Sequence, residues 1–151
     1  IVLSDVGKLM FLDLQVYQSG RFSAGLDGKA IPYPASLQEV RARVEKMTGR
    51  KFDICVCIYY PDGHSGVGFH ADPPNFGDTT ILPSLSLGEE REFQLKDQQN
   101  DEIYSLVLQN GSLLIMGEGC QEQYYHSLPV NPIYKNGRIN LTFRQLGYDH
   151  E

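Results

Sequence analysis

From residue 53 to residue 144 the sequence alternates between short apolar segments and turn-forming residues, which limits the folds that the chain can adopt. Short segments rich in β-branched and aromatic residues are typical of strands. Asn110-Gly111 and Asn136-Gly137 favour tight turns between antiparallel strands. Eight strands joined in this way predict a mainly β fold, either a sandwich or a jelly roll. The predicted strands are residues 53–60, 67–72, 82–87, 91–95, 102–108, 112–116, 123–128 and 138–144.

The first 49 residues have a different pattern, in which loops are followed by a helix. Glycine and proline interrupt residues 1–34, so this part predicts short strands and loops. From residue 36 apolar residues recur at steps of three and four, which predicts an amphipathic helix that packs on the sheet. Ser36 and Glu39 form a capping-box sequence at its start, and Gly49 suits the left-handed residue at its end. The residues predicted to face the core are Leu37, Val40, Val44 and Met47.

Length and composition narrow the class of protein. The chain has 151 residues, which predicts a single domain with 1–49 as lid loops and a supporting helix and 50–147 as the β core. Its three cysteines form no CxxC pair, and an odd number argues against a disulfide framework. No apolar run approaches the length of a membrane span. We therefore expect a soluble monomer of the cytoplasm or nucleus, independent of membranes. Because the chain begins at Ile1, we also expect the natural protein to extend further toward its N-terminus.

The charge of the chain bears on its partners. A formal net charge of −6 and a pI of about 5.1 argue against a protein whose affinity comes from binding many phosphates. Local contacts with nucleic acid are compatible with these values. The basic residues cluster around the predicted helix, where we interpret them as a solvated face. They are Arg41, Arg43, Lys46, Arg50 and Lys51.

Segment 67–72 places an imidazole and a carboxylate two residues apart. In a strand, His70 and Asp72 would share one face. Such a pair can supply two ligands of the 2-His-1-carboxylate set that holds iron(II) and leaves coordination positions open. His126, on a later strand, is the candidate for the third ligand. A His-x-Asp pair alone is weak evidence, and each histidine could instead be a hydrogen-bonded residue of the interior.

The last predicted strand carries two arginines at positions of the same parity. Alternation in a strand would place Arg138, Asn140, Thr142 and Arg144 on one face. Two guanidinium groups on one face require anionic partners, and a dicarboxylate could bind both in bidentate fashion. Taken alone, Arg138 could also be a surface charge of an edge strand.

Taken together, six segments in this order resemble the AlkB family of iron(II)/2-oxoglutarate dioxygenases. The resemblance covers residues 50–147 and, more loosely, the helix and loops before them. It implies a double-stranded β-helix, which is a jelly roll with the metal between its two sheets. The segments are Tyr60-Pro61-Asp62-Gly63, His70-Ala71-Asp72, Ser84-Leu85-Ser86-Leu87-Gly88, residues 111–116, Tyr125-His126-Ser127-Leu128-Pro129 and residues 138–144.

The resemblance also implies a set of site residues. His70, Asp72 and His126 match the iron ligands, and the expected cofactors are Fe(II), 2-oxoglutarate and O2. Arg138 matches the arginine that pairs with the distal carboxylate of 2-oxoglutarate. The full set that matches cosubstrate contacts is Tyr60, Arg138, Asn140 and Arg144.

Two positions depart from the family pattern. Ile58 stands where the family has an asparagine, so one hydrogen bond to the cosubstrate is expected to be lost or replaced. Pro74 stands where members that repair nucleic acid have an acidic residue, and proline can neither carry charge nor accept a hydrogen bond from a base amino group. The departure at Pro74 concerns the substrate more than the reaction.

The function implied by the resemblance is oxidative demethylation of N-alkylated bases in DNA or RNA, giving succinate, CO2 and formaldehyde. A base flipped into the pocket could be held by a lid formed by Arg21, Phe22 and Tyr33, although these could equally be residues of surface turns. One alternative is an AlkB-like oxygenase that hydroxylates or demethylates a protein or a small molecule. A second alternative is a metal-binding interaction module without turnover.

Overall fold

A computed structural model of the chain describes residues 7–19, 30–74 and 77–146. In this part of the chain ten strands and three helices occur. They are, in chain order, β1 (Gly7–Leu12), α1 (Leu14–Gln18), β2 (Ala30–Pro32), α2 (Ala35–Thr48), β3 (Ile54–Tyr60), β4 (Val67–His70), β5 (Leu82–Gly88), β6 (Arg91–Asp97), β7 (Ile103–Leu108), β8 (Leu113–Met116), α3 (Cys120–Gln123), β9 (Tyr124–Leu128) and β10 (Arg138–Arg144).

The strands form two sheets, which confirms the predicted mainly β, jelly-roll fold with its N-terminal helices. The larger sheet has the order β2-β1-β3-β10-β5-β8, and the smaller has the order β4-β9-β6-β7. Each of the eight predicted strands has a counterpart. Two boundaries differ: β4 ends at His70, so Asp72 lies in the following loop, and β9 begins at Tyr124 because α3 precedes it.

Strand β10 lies at the centre of the larger sheet and is buried on both faces. It pairs with β3 on one side and with β5 on the other, both antiparallel. Leu141 and Phe143 face outward and pack under α2, in a cluster that includes Phe52 and Cys55. The residues of opposite parity face the smaller sheet. This alternation along one strand separates the apolar core from the polar wall described below.

Helix α2 forms where the apolar periodicity predicts it, but two details of the prediction are wrong. Gly49 ends the helix in the left-handed conformation, with φ of 70°, as predicted. The capping box does not form, because the helix already begins after Pro34 and Glu39 binds Arg43 instead. Met47 is 70% exposed and therefore lies outside the core. Among the basic residues of this helix region, Arg43 and Lys51 are exposed, in keeping with the predicted solvated face. Arg41 departs from that prediction, because its side chain is largely buried and pairs with Asp13.

The N-terminal segment contributes more than loops. Strand β1 pairs along its whole length with β3 and thereby extends the larger sheet. Tyr33 is 5% exposed and lies in the core beneath α2, where the guanidinium of Arg41 covers its ring at 4.7 Å. This position does not fit the expected role of Tyr33 on a substrate lid. Arg21 and Phe22, the other predicted lid residues, lie outside the described residues.

The helices of the described part of the chain are all too short or too polar to cross a membrane.

Candidate active site

The two candidate histidine ligands face each other across neighbouring strands. His70 on β4 is the direct cross-strand partner of His126 on β9. The centroids of the two imidazole rings are 4.3 Å apart. An irregularity in the pairing between Val67 and His70 shifts the register of β4 just before the histidine. Strand pairing therefore brings together residues that are far apart in sequence.

Asp72 completes the cluster from the loop after β4. Its Oδ1 lies 3.2 Å from His70 Nε2 and 3.6 Å from His126 Nε2. The three possible ligand atoms all lie within 4.8 Å of one another. Burial by itself would raise the pKa of Asp72, but the two histidines and Arg144 hold this pKa well below its usual range. The carboxylate is therefore ionised, as a metal ligand must be.

His70 is oriented by a hydrogen bond on the far side of its ring, and His126 is oriented by ring stacking. His70 Nδ1 lies 2.8 Å from the carbonyl oxygen of Gly68, and because a carbonyl only accepts, Nδ1 carries the proton. This leaves the lone pair of Nε2 directed toward Asp72. His126 is buried and its ring stacks on Phe93, with the two centroids 5.7 Å apart. Each histidine thus presents Nε2 to the cluster.

The main chain at Asp72 is held from two sides. The amide N–H of Asp72 donates to Gln121 Oε1 at 2.7 Å, although the two residues are far apart in sequence. Arg144 Nη1 donates to the carbonyl of Pro73 at 3.0 Å, and its Nη2 lies 3.8 Å from Asp72 Oδ2. Gln121 could not be identified from the sequence, since a single glutamine in a short helix carries no recognisable pattern.

A cavity of about 270 Å³ opens beside the cluster, between the two sheets. All four polar residues of β10 line it, which confirms that they share one face. Its apolar lining includes Phe93 and Leu128 from the smaller sheet and Met116 from β8 of the larger sheet. The polar residues of β10 are Arg138, Asn140, Thr142 and Arg144.

Arg138 lies at one end of this cavity. It is 3% exposed, and its Nη2 donates to Ser86 Oγ at 3.0 Å. Burial lowers the pKa of Arg138 to about 10, the nearby Tyr60 opposes this change, and the charge of Arg91 adds to it. Among the described residues no carboxylate forms an ion pair with Arg138, and its Nε has no hydrogen-bond partner. A buried guanidinium without an anion is a strong indication of an anionic ligand.

Tyr60 lies directly opposite Arg138 in the ladder between β3 and β10. The guanidinium of Arg138 lies 5.6 Å from its ring centroid, and that of Arg91 lies 5.8 Å from it. Arg91 is fully buried and donates to the carbonyls of Asp62 and Pro129, at 3.1 and 2.8 Å. It therefore joins the loops that follow β3 and β9. The sequence analysis gave Arg91 no role.

Of the remaining positions discussed for the sequence, Asn140 and Ile58 line the cavity and Pro74 does not. Asn140 donates to Ser84 Oγ at 2.6 Å and accepts from Thr142 at 2.8 Å, so its amide is fixed within the wall. Ile58 lines the cavity and faces the same way as Lys8, its cross-strand partner on β1. Lys8 also lines the cavity and was missed by the sequence analysis. Pro74 is exposed and lies outside the cavity lining.

The residues present fit a metal ion and an anionic cosubstrate. Two imidazole nitrogens and one carboxylate oxygen form a donor set suited to a divalent ion such as iron(II), and three donors leave other positions open. The unpaired guanidinium of Arg138 at the other end of the cavity suits a carboxylate. The arrangement can therefore hold a metal and a bound dicarboxylate in one cavity.

Comparisons with known proteins agree with this geometry. The sequence model of the 2OG-Fe(II) oxygenase superfamily matches residues 18–144 of this chain. The chain is 32% identical over 132 residues to DNA oxidative demethylase ALKBH2 of Bos taurus, covering 82% of this chain and 48% of the relative. It is 31% identical over 118 residues to alpha-ketoglutarate-dependent dioxygenase alkB homolog 3 of Rattus norvegicus, covering 72% and 40%. The chain thus spans less than half the length of either relative.

The fold has also been seen in a solved structure. The structure of OsALKBH1 matches with a TM-score of 0.60 and 20% identity, covering 78% of this chain and 68% of that chain. At this identity the match supports the fold alone.

Proposed function

Because the chain belongs to the AlkB family of the 2OG-Fe(II) oxygenase superfamily, we propose that it is an Fe(II)/2-oxoglutarate-dependent dioxygenase that demethylates N-alkylated bases in DNA or RNA. One observation carries the proposal of a dioxygenase. The cluster of His70, Asp72 and His126 opens into the same cavity as the unpaired guanidinium of Arg138. A structural metal site would have no need of that cation.

In this proposal His70, Asp72 and His126 hold the iron. The hydrogen bond from His70 Nδ1 to Gly68 fixes the tautomer that leaves Nε2 free to bind the metal. Arg144, close to Asp72, keeps the carboxylate ionised and oriented. When bound, iron(II) with 2-oxoglutarate and O2 supplies the oxidation of a substrate methyl group, with succinate and CO2 as coproducts.

Four residues bind the cosubstrate in this proposal. Arg138 pairs with the distal carboxylate, since among the described residues that line the cavity it is the buried arginine without a carboxylate partner, and Ser86 holds it in place. Tyr60 contributes a hydroxyl group next to Arg138, across the ladder. Arg144 and Asn140 contact the cosubstrate nearer to the metal cluster. Ile58, which lines the cavity, stands where the family has an asparagine, so one hydrogen bond to the cosubstrate is lost or replaced.

The apolar lining residues Phe93, Met116 and Leu128 exclude water from the reacting groups. If the oxidised methyl group is attached to nitrogen, the hydroxymethyl product releases formaldehyde and leaves the demethylated base. If it is attached to carbon, hydroxylation is the end of the reaction. The cavity residues are compatible with both outcomes, so the choice depends on the substrate.

The printed name of the bovine relative, a DNA oxidative demethylase, supports a nucleic-acid substrate. Two observations support the alternative of a protein or small-molecule substrate. The net charge of −6 disfavours extensive phosphate contacts, and the exposed side chain of Pro74 offers no acceptor for a base amino group. These observations define two substrate classes that one assay can separate.

The assay incubates the protein with Fe(II), 2-oxoglutarate and either methylated single-stranded oligonucleotides or methylated peptides. Mass spectrometry then measures the loss of a methyl group, and succinate is measured in parallel. We expect demethylated oligonucleotide with wild-type protein and none with His126→Ala. Demethylated peptide with unchanged oligonucleotide would support the alternative substrate class. Failure to form succinate under any condition would support a non-catalytic metal-binding module.

A further inference from the structure

We propose that Gln121 is a positioning residue that sets the geometry of Asp72 and thereby the affinity of the site for its metal. The inference rests on the proposed function, because it takes Asp72 as a metal ligand. Gln121 itself does not reach the cluster with a ligand atom. It acts through the main chain of the residue that does.

Asp72 needs such support because of its place in the fold. His70 and His126 lie on paired strands, so ladder hydrogen bonds fix their main chains. Strand β4 ends at His70, and Asp72 therefore lies beyond the last residue that the ladder holds. The carboxylate is the one member of the cluster whose main chain depends on other contacts.

Gln121 supplies one of these contacts with a defined orientation. Its Oε1 accepts from the amide N–H of Asp72 at 2.7 Å, a short and therefore well-formed hydrogen bond. An N–H group requires an oxygen, so the amide of Gln121 can have only one orientation. Its Nε2 then points to Met116 Sδ, 3.7 Å away. Met116 is buried and lines the cavity, so both ends of the amide are fixed by residues of the site.

The main chain that carries Gln121 is also anchored. Gln98, in the turn between β6 and β7, donates its Nε2 to the carbonyl of Gln121 at 3.2 Å. The main-chain N–H of Gln98 donates to the carbonyl of Gln123 at 2.9 Å. These contacts tie α3 to the smaller sheet, which carries both histidines. Gln121 therefore links the main chain of Asp72 to that sheet.

Arg144 holds the same loop from the larger sheet, through the carbonyl of Pro73. The loop at Asp72 is thus held by two contacts. Gln121 holds it from the smaller sheet, and Arg144 holds it from the larger sheet. Loss of the Gln121 contact would leave the loop held from one side, and the carboxylate could turn away from the histidines. We expect this to weaken metal binding, since partners that orient metal ligands typically change affinity by about 10- to 100-fold.

The test uses three variants of the whole chain. Gln121→Met removes the acceptor and keeps a side chain of similar length. Gln121→Glu keeps an oxygen at the same distance from the main chain, and it should restore the contact. Gln123→Met is the matched control, because Gln123 is an exposed residue of the same short helix. Calorimetric titration with Mn²⁺ measures metal affinity without turnover, and thermal unfolding of the metal-free protein measures stability.

We expect Gln121→Met to bind Mn²⁺ about 10- to 100-fold more weakly than wild type. Gln121→Glu and Gln123→Met should bind it with nearly wild-type affinity. In addition, raising the Fe(II) concentration should restore succinate formation by Gln121→Met. Wild-type Mn²⁺ affinity in Gln121→Met would overturn the inference, and so would a loss of unfolding temperature without a loss of affinity.

The outcome is separable from that of the proposed function. If wild-type protein binds neither Mn²⁺ nor Fe(II), the assignment of the metal site fails and the proposed function fails with it. If wild type binds the metal and Gln121→Met binds it equally well, only the role of Gln121 is rejected. A Co²⁺ spectrum that differs between wild type and Gln121→Met would show directly that the ligand geometry has changed.

Discussion

Replacing Arg138 by methionine separates a binding role from a structural one, because the two roles predict opposite effects on the metal-free protein. Arg138 is buried, and burial lowers its pKa from the ordinary value of an arginine to about 10. A difference of this size corresponds to a cost of about 3 kcal/mol for keeping the charge inside the protein. The hydrogen bond to Ser86 offsets about 2 kcal/mol of this destabilisation. Methionine, which carries no charge, removes both contributions.

We therefore expect Arg138→Met to unfold at the same temperature as wild type, or at a higher one, when no ligand is present. Binding of 2-oxoglutarate should respond in the opposite direction. Removing one member of a buried charge pair costs about 2 to 5 kcal/mol, which corresponds to at least about a 30-fold loss of affinity. The contrast between the two measurements is the signature of a ligand-binding cation.

The assay is calorimetric titration of 2-oxoglutarate into Mn²⁺-loaded protein, combined with thermal unfolding of the metal-free protein. Arg43→Met is the control, since Arg43 is an exposed arginine of α2 that pairs with the exposed Glu39, and it should change neither quantity measurably. Arg138→Met that binds 2-oxoglutarate as tightly as wild type would refute the reasoning. So would a variant that is strongly destabilised without ligand.

Further predictions concern stability. Phe52→Ala should lower the free energy of unfolding by about 3 to 5 kcal/mol, because Phe52 is fully buried against Phe143. Met47→Ala should change it by about 0.5 kcal/mol or less, since Met47 is exposed, and chemical denaturation measures both. The side chain of Thr80 lowers the pKa of Asp78 below 3.8, so the stability contributed by Asp78 is present above that pH and lost as the pH falls. The difference between wild type and Asp78→Asn should therefore shrink in acid, and a constant difference would contradict this assignment.

The parts of the fold that depend on strand parity could be predicted from the sequence. Arg138 and Arg144 share a face because the side chains of a strand alternate, and this rule holds in almost any context. The proximity of His126 to His70 could also be predicted, since both residues match the iron ligands of the family that the sequence resembles. Strand ends were less reliable, and Asp72 lies in a loop because the ladder of β4 ends two residues earlier.

The remaining features depend on tertiary contacts that leave no local pattern. Met47 fits the helical period, but it is exposed and does not take part in the core under α2. Tyr33 lies in a loop-rich segment of the sequence, which suggested a lid residue. In the structure its side chain is buried in the core beneath α2. Lys8 and Gln121 reach the site only through the pairing of β1 with β3 and the position of α3. No spacing rule in the sequence connects them with the cluster.

The most direct test of the central claim is the amount of Fe(II) bound per chain, measured anaerobically in wild type, Asp72→Ala and His126→Ala. His64→Ala is the control, because His64 is an exposed histidine outside the cavity lining. We predict one Fe(II) per chain in wild type and His64→Ala, and loss of binding in both ligand variants. Full binding of Fe(II) by Asp72→Ala or His126→Ala would contradict the claim that these side chains hold the metal.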